Sequence, residues 1–272
     1  MIKQAIIPLA GLGTRMLPLT SVIPKELLPI NGKPNIEYIM DECIEAGVKE
    51  FIFIISKKKE NIKKYFFNDN FYKQIIKKKK DKNIIKQYDR LKKYQKMIKF
   101  VYQNNPKGTG DAVLKCRKYI KGKYFLMLLP DDLIINKNCT KEMINLYKIK
   151  KTSIIATKTV DKKTVSRWGI LSIKNKQKNY FNITDVVEKP SVKNAPSNYA
   201  IIGRYILPFK IFNEIKNLKT KKGNEIHITD AIKQLIYKDE IFFGNVFRGN
   251  YLDCGTLSGY IKSCIKISKG NK

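Results

Sequence analysis

The stretch Ala5–Leu9 (AIIPL), followed by Ala10–Arg15 (AGLGTR), decides the fold class of this chain. A short apolar run that is closed by glycines indicates a buried strand feeding a glycine loop. The backbone N–H groups of such a loop can cradle phosphate. Taken alone, the segment is also compatible with an ordinary tight turn.

Two common phosphate-binding motifs do not fit this loop. The spacing G-x-x-x-x-G-K-[ST] of a P-loop is absent. A dinucleotide-binding loop requires a third glycine where Met16 stands, and an acidic residue at the end of the next strand, where Ser56–Lys58 follows. Arg15 instead places a cation at the loop, which suits a triphosphate better than a nicotinamide dinucleotide.

The first half of the chain alternates between strand and helix patterns. Apolar runs at Phe51–Ile55, Phe100–Tyr102 and Tyr124–Leu129 predict buried strands, and helices are predicted at Asn35–Ala46 and Asp111–Tyr119. This rhythm predicts an α/β fold, a doubly wound and mostly parallel (Rossmann-like) mixed sheet flanked by helices.

The second half has a different character. Strand-like segments at Trp168–Ile173, Ile183–Glu188 and Tyr199–Leu207 predict a mixed-sheet region. Helices are predicted at Thr229–Tyr237, with Thr229 as the N-cap, and at Thr256–Ser268. Because no Pro/Gly/Ser linker separates the halves, we expect a single domain over 1–272, with a nucleotide half (about 1–150) and a substrate half (about 151–272).

The chain is strongly basic. Its 272 residues include 55 Lys and Arg against 23 Asp and Glu, a formal net charge of +32. A hydrophobic content of 43% excludes a disordered polycation. Only six of the basic residues are Arg, the usual choice for bidentate base readout, although lysines can also bind nucleic acid through counterion release. We interpret most lysines as solvated surface.

The stretch Lys57–Lys99 interleaves lysines with aromatic residues. This pattern is compatible with binding of single-stranded nucleic acid. The alternative is a set of surface helices whose aromatic rings pack inward. We favour the second interpretation and expect no nucleic-acid partner.

Cysteine spacing and hydropathy indicate the compartment. The five cysteines form no C-x-x-C pair and there is one histidine, His227, so neither a disulfide framework nor a zinc site is indicated. No apolar run approaches the ~18 residues of a membrane span. Gly11, Gly13 and Arg15 interrupt the N-terminal apolar stretch, unlike a signal peptide. We therefore expect a cytoplasmic protein with no membrane partner.

Two further loops carry candidate binding residues. In Ile23–Pro29, prolines restrict the backbone around Lys25, and a rigid loop can aim an ammonium at a phosphate. In Gln103–Ala112, Gln103 has a donor and an acceptor for a pyrimidine edge, and Gly108 allows close approach of the backbone. Each segment is also compatible with a surface turn.

Two carboxylates are candidate metal ligands. Asp131 directly follows a predicted buried strand, and Asp253 precedes the last predicted helix. Mg²⁺ takes one or two carboxylates together with phosphate oxygens, and ligands bind beyond the carboxyl ends of such strands. The alternative for either residue is a helix or turn cap.

A third candidate group lies in the second half of the chain. Glu188 and Lys189 stand at a strand end, and Trp168 and Gly169 precede them in sequence. A Glu beside a Lys can accept from sugar hydroxyls and contact an anomeric phosphate. The alternative is a solvated charge pair, and His227 is more typical of a structural residue.

Taken in order, these segments resemble the bacterial UTP–glucose-1-phosphate uridylyltransferases, members of the sugar nucleotidyltransferase family. The resemblance extends from about residue 3 to about residue 265. It rests on Ala10–Arg15, Ile23–Pro29, Gln103–Ala112, Leu129–Asp131, Glu188–Pro190, Asn198–Arg204, Gly223–Ile232 and Asp253–Gly255. Pro24-Lys25-Glu26 and Asp253-Cys254-Gly255 point to the uridylyl branch.

The resemblance implies an enzyme that uses UTP and glucose 1-phosphate as substrates and Mg²⁺ as cofactor, in a homo-oligomer (dimer or tetramer). The implied roles are uracil binding by Ala10, Gly11 and Gln103; triphosphate binding by Gly13, Arg15 and Lys25; contact along the nucleotide by Gly108; metal binding by Asp131 and Asp253; glucose binding by Gly169 and Glu188; and binding of its phosphate by Lys189. Arg15, Lys25 and Lys189 would be the catalytic cations.

One position departs from the family, and alternatives stay open. Relatives of this type commonly have His where this chain has Asp111. A carboxylate near a polyphosphate is unexpected, and no role is assigned to it from sequence. The alternatives are thymidylyl or N-acetylglucosamine transfer on the same fold, or a basic nucleic-acid-binding protein that uses Lys57–Lys99.

Overall fold

The computed structural model of the chain describes residues 2–67, 70–218 and 225–270. Within these ranges no helix is both long enough and apolar enough to span a bilayer. The start of the Gly223–Ile232 segment lies outside the described residues.

The described residues form thirteen β-strands and nine α-helices. The strands are β1 Gln4–Pro8, β2 Pro29–Ile30, β3 Lys33–Pro34, β4 Glu50–Ile55, β5 Ile98–Tyr102, β6 Tyr124–Leu128, β7 Asp132–Ile135, β8 Ser153–Thr159, β9 Gly169–Lys174, β10 Tyr180–Glu188, β11 Tyr199–Pro208, β12 Phe242–Val246 and β13 Asn250–Asp253. The helices are α1 Asn35–Glu45, α2 Glu60–Phe66, α3 Asn70–Lys79, α4 Lys82–Gln95, α5 Thr109–Leu114, α6 Cys139–Lys150, α7 Ile211–Asn217, α8 Ile228–Tyr237 and α9 Leu257–Gly270.

One mixed sheet runs through both halves of the chain, in the order β5-β4-β1-β6-β11-β8-β12-β10-β9. The first four of these strands are parallel. From β6 onward the pairs are antiparallel, except that β12 runs parallel to β8. The predicted mixed α/β sheet is confirmed, and its parallel part is concentrated in the first half of the chain.

The order of the first four strands creates a switch point beside β1. The chain winds outward from β1 to β4 and β5, then returns to place β6 on the other side of β1. In open α/β sheets, ligands bind at such a point, beyond the carboxyl ends of the strands. The loops that leave β1 and β6, Ala10–Arg15 and Leu129–Asp131, therefore meet at the expected position of a ligand.

Both faces of the central strands are buried. In β1 and β4, Ile7 and Phe53 belong to one hydrophobic core, and Ile6 and Ile52 belong to another. All four side chains are fully buried. This two-sided burial explains why these strands read as continuous apolar runs rather than as alternating patterns.

The lysine-rich stretch forms surface helices, as favoured from the sequence. Phe66 and Tyr94 are buried between α2 and α4 with their ring centroids 6.2 Å apart, while lysines such as Lys92 and Lys93 are exposed. Within the described part of the stretch, inward packing therefore accounts for these aromatic rings.

Two helix predictions need correction. The helix predicted at Asp111–Tyr119 ends at Leu114, because the hydrogen bonds then change to i−3 partners and a 3₁₀ turn follows at Arg117–Tyr119. The prediction that Thr229 is an N-cap is wrong. His227 occupies that position, and the Thr229 hydroxyl, inside the helix, donates to Glu188 Oε2 at 3.0 Å.

Candidate active site

The glycine loop after β1 is shaped by Gly13. Its backbone is left-handed (φ +70°), a conformation that favours glycine, and its carbonyl accepts from the Thr20 hydroxyl at 2.8 Å. Met16, which stands where a dinucleotide-binding loop has its third glycine, is buried. The loop therefore turns sharply and leaves the Arg15 side chain 60% exposed.

Two cations converge on Asp131 beyond the end of β6. Lys25 Nζ lies 2.6 Å and Arg15 Nη2 3.4 Å from the same oxygen, Oδ2. Burial alone would raise the pKa of Asp131, but these charges outweigh it and hold the pKa below its usual value. Conversely, Asp131 and Glu26 raise the pKa of Lys25 although burial lowers it. Both side chains are thus held in their charged forms.

The second predicted metal ligand lies beside the first. Asp253 Oδ1 accepts from the Gly255 N–H at 2.8 Å, and the Cys254 N–H donates to the Asp131 carbonyl at 2.7 Å. A Cβ on Gly255 would lie 2.7 Å from Asp131 Oδ2 and 3.2 Å from Asp253 Oδ1. Arg15 Nη2 would also lie 2.7 Å from this Cβ, so glycine leaves a small cradle that is bordered by the two carboxylates and by Arg15.

The donor set in this cradle fits Mg²⁺. Across the described residues, no group of three or more His, Cys, Asp or Glu side chains could hold a metal ion. Two carboxylates suffice for Mg²⁺, because this ion usually keeps waters and substrate phosphate oxygens as its other ligands.

The residues predicted to bind the sugar phosphate lie at the start of β9 and the end of β10. Glu188 Oε2 lies 3.3 Å from the position of a Cβ on Gly169, so a larger residue there would press on the carboxylate. The backbone of Lys189 has φ +45°, and its N–H donates to the Trp168 carbonyl at 3.0 Å. These contacts hold Glu188 and Lys189 against β9.

Gln103 lines the first cavity of the site together with Gly108. Its side chain is almost fully buried, and its Nε2 donates to Asp111 Oδ2 at 2.6 Å and to the Gly108 carbonyl at 3.3 Å. Gly108 has φ +94°, and a Cβ there would lie 2.5 Å from the carbonyl oxygen of Ile226. Only glycine fits this close approach of two backbones.

Two adjoining cavities collect the predicted residues. The first is lined by Ala10, Gly11, Lys25, Gln103 and Gly108, and the second by Gly169 and Asp253. Four of the predicted residues line both cavities: Arg15, Asp131, Glu188 and Lys189. Gly13 lines neither and acts on the shape of the loop. The structure thus brings the remaining predicted residues to one continuous cleft.

The sequence profile of the nucleotidyl transferase family matches residues 4–270 of the chain. The chain belongs to this family. As a nucleotidyltransferase, it is an enzyme that transfers a nucleotidyl group, and its α/β sheet is the family's fold.

Individual relatives of this nucleotidyltransferase carry more specific names. A UTP–glucose-1-phosphate uridylyltransferase of Staphylococcus saprophyticus is 35% identical over 98% of this chain and 93% of its own length. A crystal structure of UDP-glucose pyrophosphorylase complexed with UDP-glucose is 35% identical with a TM-score of 0.88, covering 99% of this chain and 100% of that one. A UTP-bound UGPase from Acinetobacter baumannii is 31% identical with a TM-score of 0.86, covering 98% and 93%.

A buried ion pair beside Lys25 was not predicted from the sequence. Lys59 Nζ lies 2.9 Å from both carboxylate oxygens of Glu26, and both side chains are buried. Burial lowers the pKa of Lys59 more than Glu26 raises it. Because Glu26 follows Lys25 in one 3₁₀ turn, Lys59 anchors the turn that carries Lys25 in this nucleotidyltransferase.

A second unpredicted pair supports the loop of Asp131. Arg204 is fully buried, donates to Glu42 Oε2 at 2.9 Å through Nη2, and donates to the Leu129 carbonyl at 3.2 Å through Nη1. Glu42 also accepts from the Thr140 hydroxyl at 2.6 Å. This network connects α1, α6 and β11 to the chain just before Asp131.

Arg167 and Asp132 were also missed. Arg167 Nη2 lies 3.2 Å from Asp253 Oδ2 and lines the second cavity. Asp132 accepts from the Tyr251 hydroxyl at 2.7 Å, and burial together with the charge of Asp131 raises the pKa of Asp132 to about 6. Their partners are distant in sequence, so no local pattern marks either residue.

Proposed function

We propose that this nucleotidyltransferase transfers the uridylyl group of UTP to glucose 1-phosphate, giving UDP-glucose and pyrophosphate. The observation that carries the proposal is the convergence of Arg15 and Lys25 on Asp131 in a cleft that continues to Glu188 and Lys189. The names of relatives at 31–35% identity over nearly the whole chain support the same substrates.

The division of the cleft supports one role for each half of the single domain. In the nucleotide half (about 1–150), Ala10, Gly11 and Gln103 would bind uracil, Gly108 would lie along the nucleotide, and Gly13, Arg15 and Lys25 would place and bind the triphosphate. In the other half (about 151–272), Gly169 and Glu188 would bind glucose and Lys189 its phosphate.

Asp131 and Asp253 would hold Mg²⁺ in the cradle beside Gly255. When bound, the ion would neutralise charge on the triphosphate of UTP. Lys25, Arg15 and Arg167 also lie next to these two carboxylates. Bound phosphates would therefore compete with Asp131 and Asp253 for the cations that pair with these carboxylates.

The chemistry requires positioning more than proton transfer. An oxygen of the sugar phosphate would attack the α-phosphorus of UTP in line, forming one P–O bond while the bond to the β-phosphate bridge breaks and pyrophosphate leaves. The attacking oxygen is already an anion, so no general base is required. Arg15, Lys25 and Lys189 would offset the repulsion between two polyanions and stabilise the charge that develops during transfer.

We also propose that the enzyme is a cytoplasmic homo-oligomer, a dimer or tetramer. Leu257, Ile261 and Ile265 are each about half exposed and follow one another at intervals of four on α9, so they form an apolar stripe that a second copy could cover. All five cysteines are free thiols, which supports a reducing compartment. Analytical ultracentrifugation of the purified chain tests the assembly, and a monomer at micromolar concentration would contradict it.

Pyrophosphate release tests the proposed reaction. Glucose 1-phosphate is offered with UTP, dTTP, CTP, ATP and GTP in turn, and UTP is then offered with N-acetylglucosamine 1-phosphate. The highest kcat/KM is expected for UTP with glucose 1-phosphate. Lack of turnover with this pair, or a higher kcat/KM with dTTP or N-acetylglucosamine 1-phosphate, would show that the proposal is wrong.

A further inference from the structure

The position that departs from the family, Asp111, is in direct contact with Gln103. The Gln103 amide nitrogen donates to Asp111 Oδ2 at 2.6 Å. An ionised carboxylate can only accept, so this contact orients the amide with its nitrogen toward Asp111. The other amide hydrogen is directed at the Gly108 carbonyl, 3.3 Å away. Both donors of Gln103 are therefore engaged by the protein.

The remaining polar atom of this side chain is an acceptor. Gln103 Oε1 has no hydrogen-bond partner in the described part of the chain, and Gln103 lines the first cavity. The side chain has little freedom to move, because it is 3% exposed and its backbone N–H donates to the Ile55 carbonyl at 2.8 Å. Gln103 thus offers a bound base one acceptor and no donor.

Asp111 is itself held in place. It lies in the first turn of α5, where the Gly110 N–H donates to the Ile226 carbonyl at 2.7 Å. Lys115, one turn further along α5, lies 3.8 Å from Asp111 Oδ1 and partly offsets its charge. This contact therefore reduces the repulsion between Asp111 and a polyanion bound at the site.

We propose that Asp111 determines base specificity by locking the Gln103 amide with its acceptor toward the base. Uracil presents an N3–H donor, which this acceptor can bind. Cytosine, held in the same position, presents the lone pair of N3 instead, so two acceptors would face each other without a proton between them. The proposal rests on the proposed function, and it extends that function by assigning the preference for UTP over CTP to a carboxylate outside the expected binding set.

The Asp111→Asn variant tests this assignment. The new amide can donate to Gln103 Oε1, so the Gln103 amide can turn over and present its N–H groups to cytosine. The preference for UTP over CTP, measured as a ratio of dissociation constants, should fall by about tenfold, the effect of one hydrogen bond. The ratio of UTP to dTTP should stay unchanged, because thymine has the same N3–H.

Binding is measured by isothermal titration calorimetry without sugar phosphate, and the UTP-to-CTP ratio of kcat/KM is measured in parallel. Asp111→Ala, which also removes the lock, is the second variant. Asp239→Asn, the same chemical change in the exposed turn after α8, is the matched control and should keep the wild-type preference. Circular dichroism confirms folding of each variant.

The outcomes separate the two proposals. If wild-type protein prefers UTP in binding and Asp111→Asn loses that preference, the inference stands even when no UDP-glucose is formed, and only the proposed reaction fails. If wild-type protein binds CTP as tightly as UTP, the inference is wrong. It is also wrong if folded Asp111→Asn and Asp111→Ala both keep the wild-type preference.

Discussion

The charge state and the surroundings of Asp131 depend on residues that are far away in sequence. Lys25 and Arg15 lie on its Oδ2, Cys254 donates to its carbonyl, and Gly255 leaves room beside it for an ion. The charges of Lys25 and Arg15 favour the carboxylate form of Asp131, which is the form that binds a cation.

Asp131→Ala should lower kcat by at least about a hundredfold, because it removes a proposed metal ligand and the partner of Lys25. The measurement is pyrophosphate release over a range of Mg²⁺ concentrations. Asp89→Ala, on the exposed face of α4, is the control and should retain activity. Wild-type turnover by Asp131→Ala at saturating Mg²⁺ would exclude the proposed role.

Lys59→Met should raise the KM for UTP, because Glu26 is left buried without a partner and the turn that carries Lys25 loses its anchor. Breaking such a pair costs about 3–5 kcal/mol of stability. Lys58→Met changes an exposed neighbour and should be neutral. The double variant Lys59→Met with Glu26→Leu should recover much of the stability but not the KM. If the double variant recovered both the stability and the KM, the Lys59–Glu26 pair would have only a structural role.

At the scale of elements, buried ion pairs connect helices to strands. Arg204 belongs to β11, yet its guanidinium reaches Glu42 on α1, separated by 162 residues, and the carbonyl just after β6. Burial lowers the pKa of Arg204, but Glu42 outweighs it and the pKa is raised overall, so the guanidinium stays charged. The order of the strands brings these elements together, and the pair then holds the end of β6.

Glu42→Gln should destabilise the protein by about 3–5 kcal/mol, because it leaves a fully buried guanidinium without its countercharge. Equilibrium urea unfolding measures the change in the free energy of unfolding. Glu45→Gln, on the same helix but 64% exposed and 3.9 Å from Lys141, should change it by less than about 0.5 kcal/mol. Equal effects of the two variants would rule out this role of the Arg204–Glu42 pair.

At the scale of the whole molecule, the net charge of +32 has little to do with the site. The cations that line the cleft are few, chiefly Arg15, Lys25, Arg167 and Lys189. The lysines of α4 lie on an exposed surface, and salt screens such charges over about 8 Å at physiological ionic strength. A general positive field therefore adds little to binding under those conditions.

Replacing Lys86, Lys92 and Lys93 of α4 together with Gln should leave kcat/KM within about twofold of wild type at 0.15 M salt, since these exposed charges are screened. The same comparison at low ionic strength should show a larger loss, as expected for steering of anionic substrates. A tenfold loss at 0.15 M salt would assign this surface a direct role in substrate binding.

Local patterns in the sequence determined much of the fold and of the site. The apolar runs predicted β1, β4 and β6 because strands buried on both faces need no alternation. Asp131 and the glycine loop could be placed beyond strand ends from their positions alone. The resemblance to uridylyltransferases then supplied Lys25, Glu188 and Asp253, whose local patterns were unspecific when taken singly.

Only the tertiary structure decided which distant side chains meet. The hydrophobic pattern of a sequence reports which faces of local helices and strands are buried, but not which distant residue pairs with a buried charge. The pairs Lys59–Glu26 and Arg204–Glu42 therefore had no signal in the sequence. Asp253 lies beside Asp131 because of the order in which the strands pair. The Thr229 hydroxyl donates to Glu188 instead of capping its helix. The contact of the Gln103 amide with Asp111 across a loop likewise had no signal in the sequence, because local patterns do not show which two side chains meet.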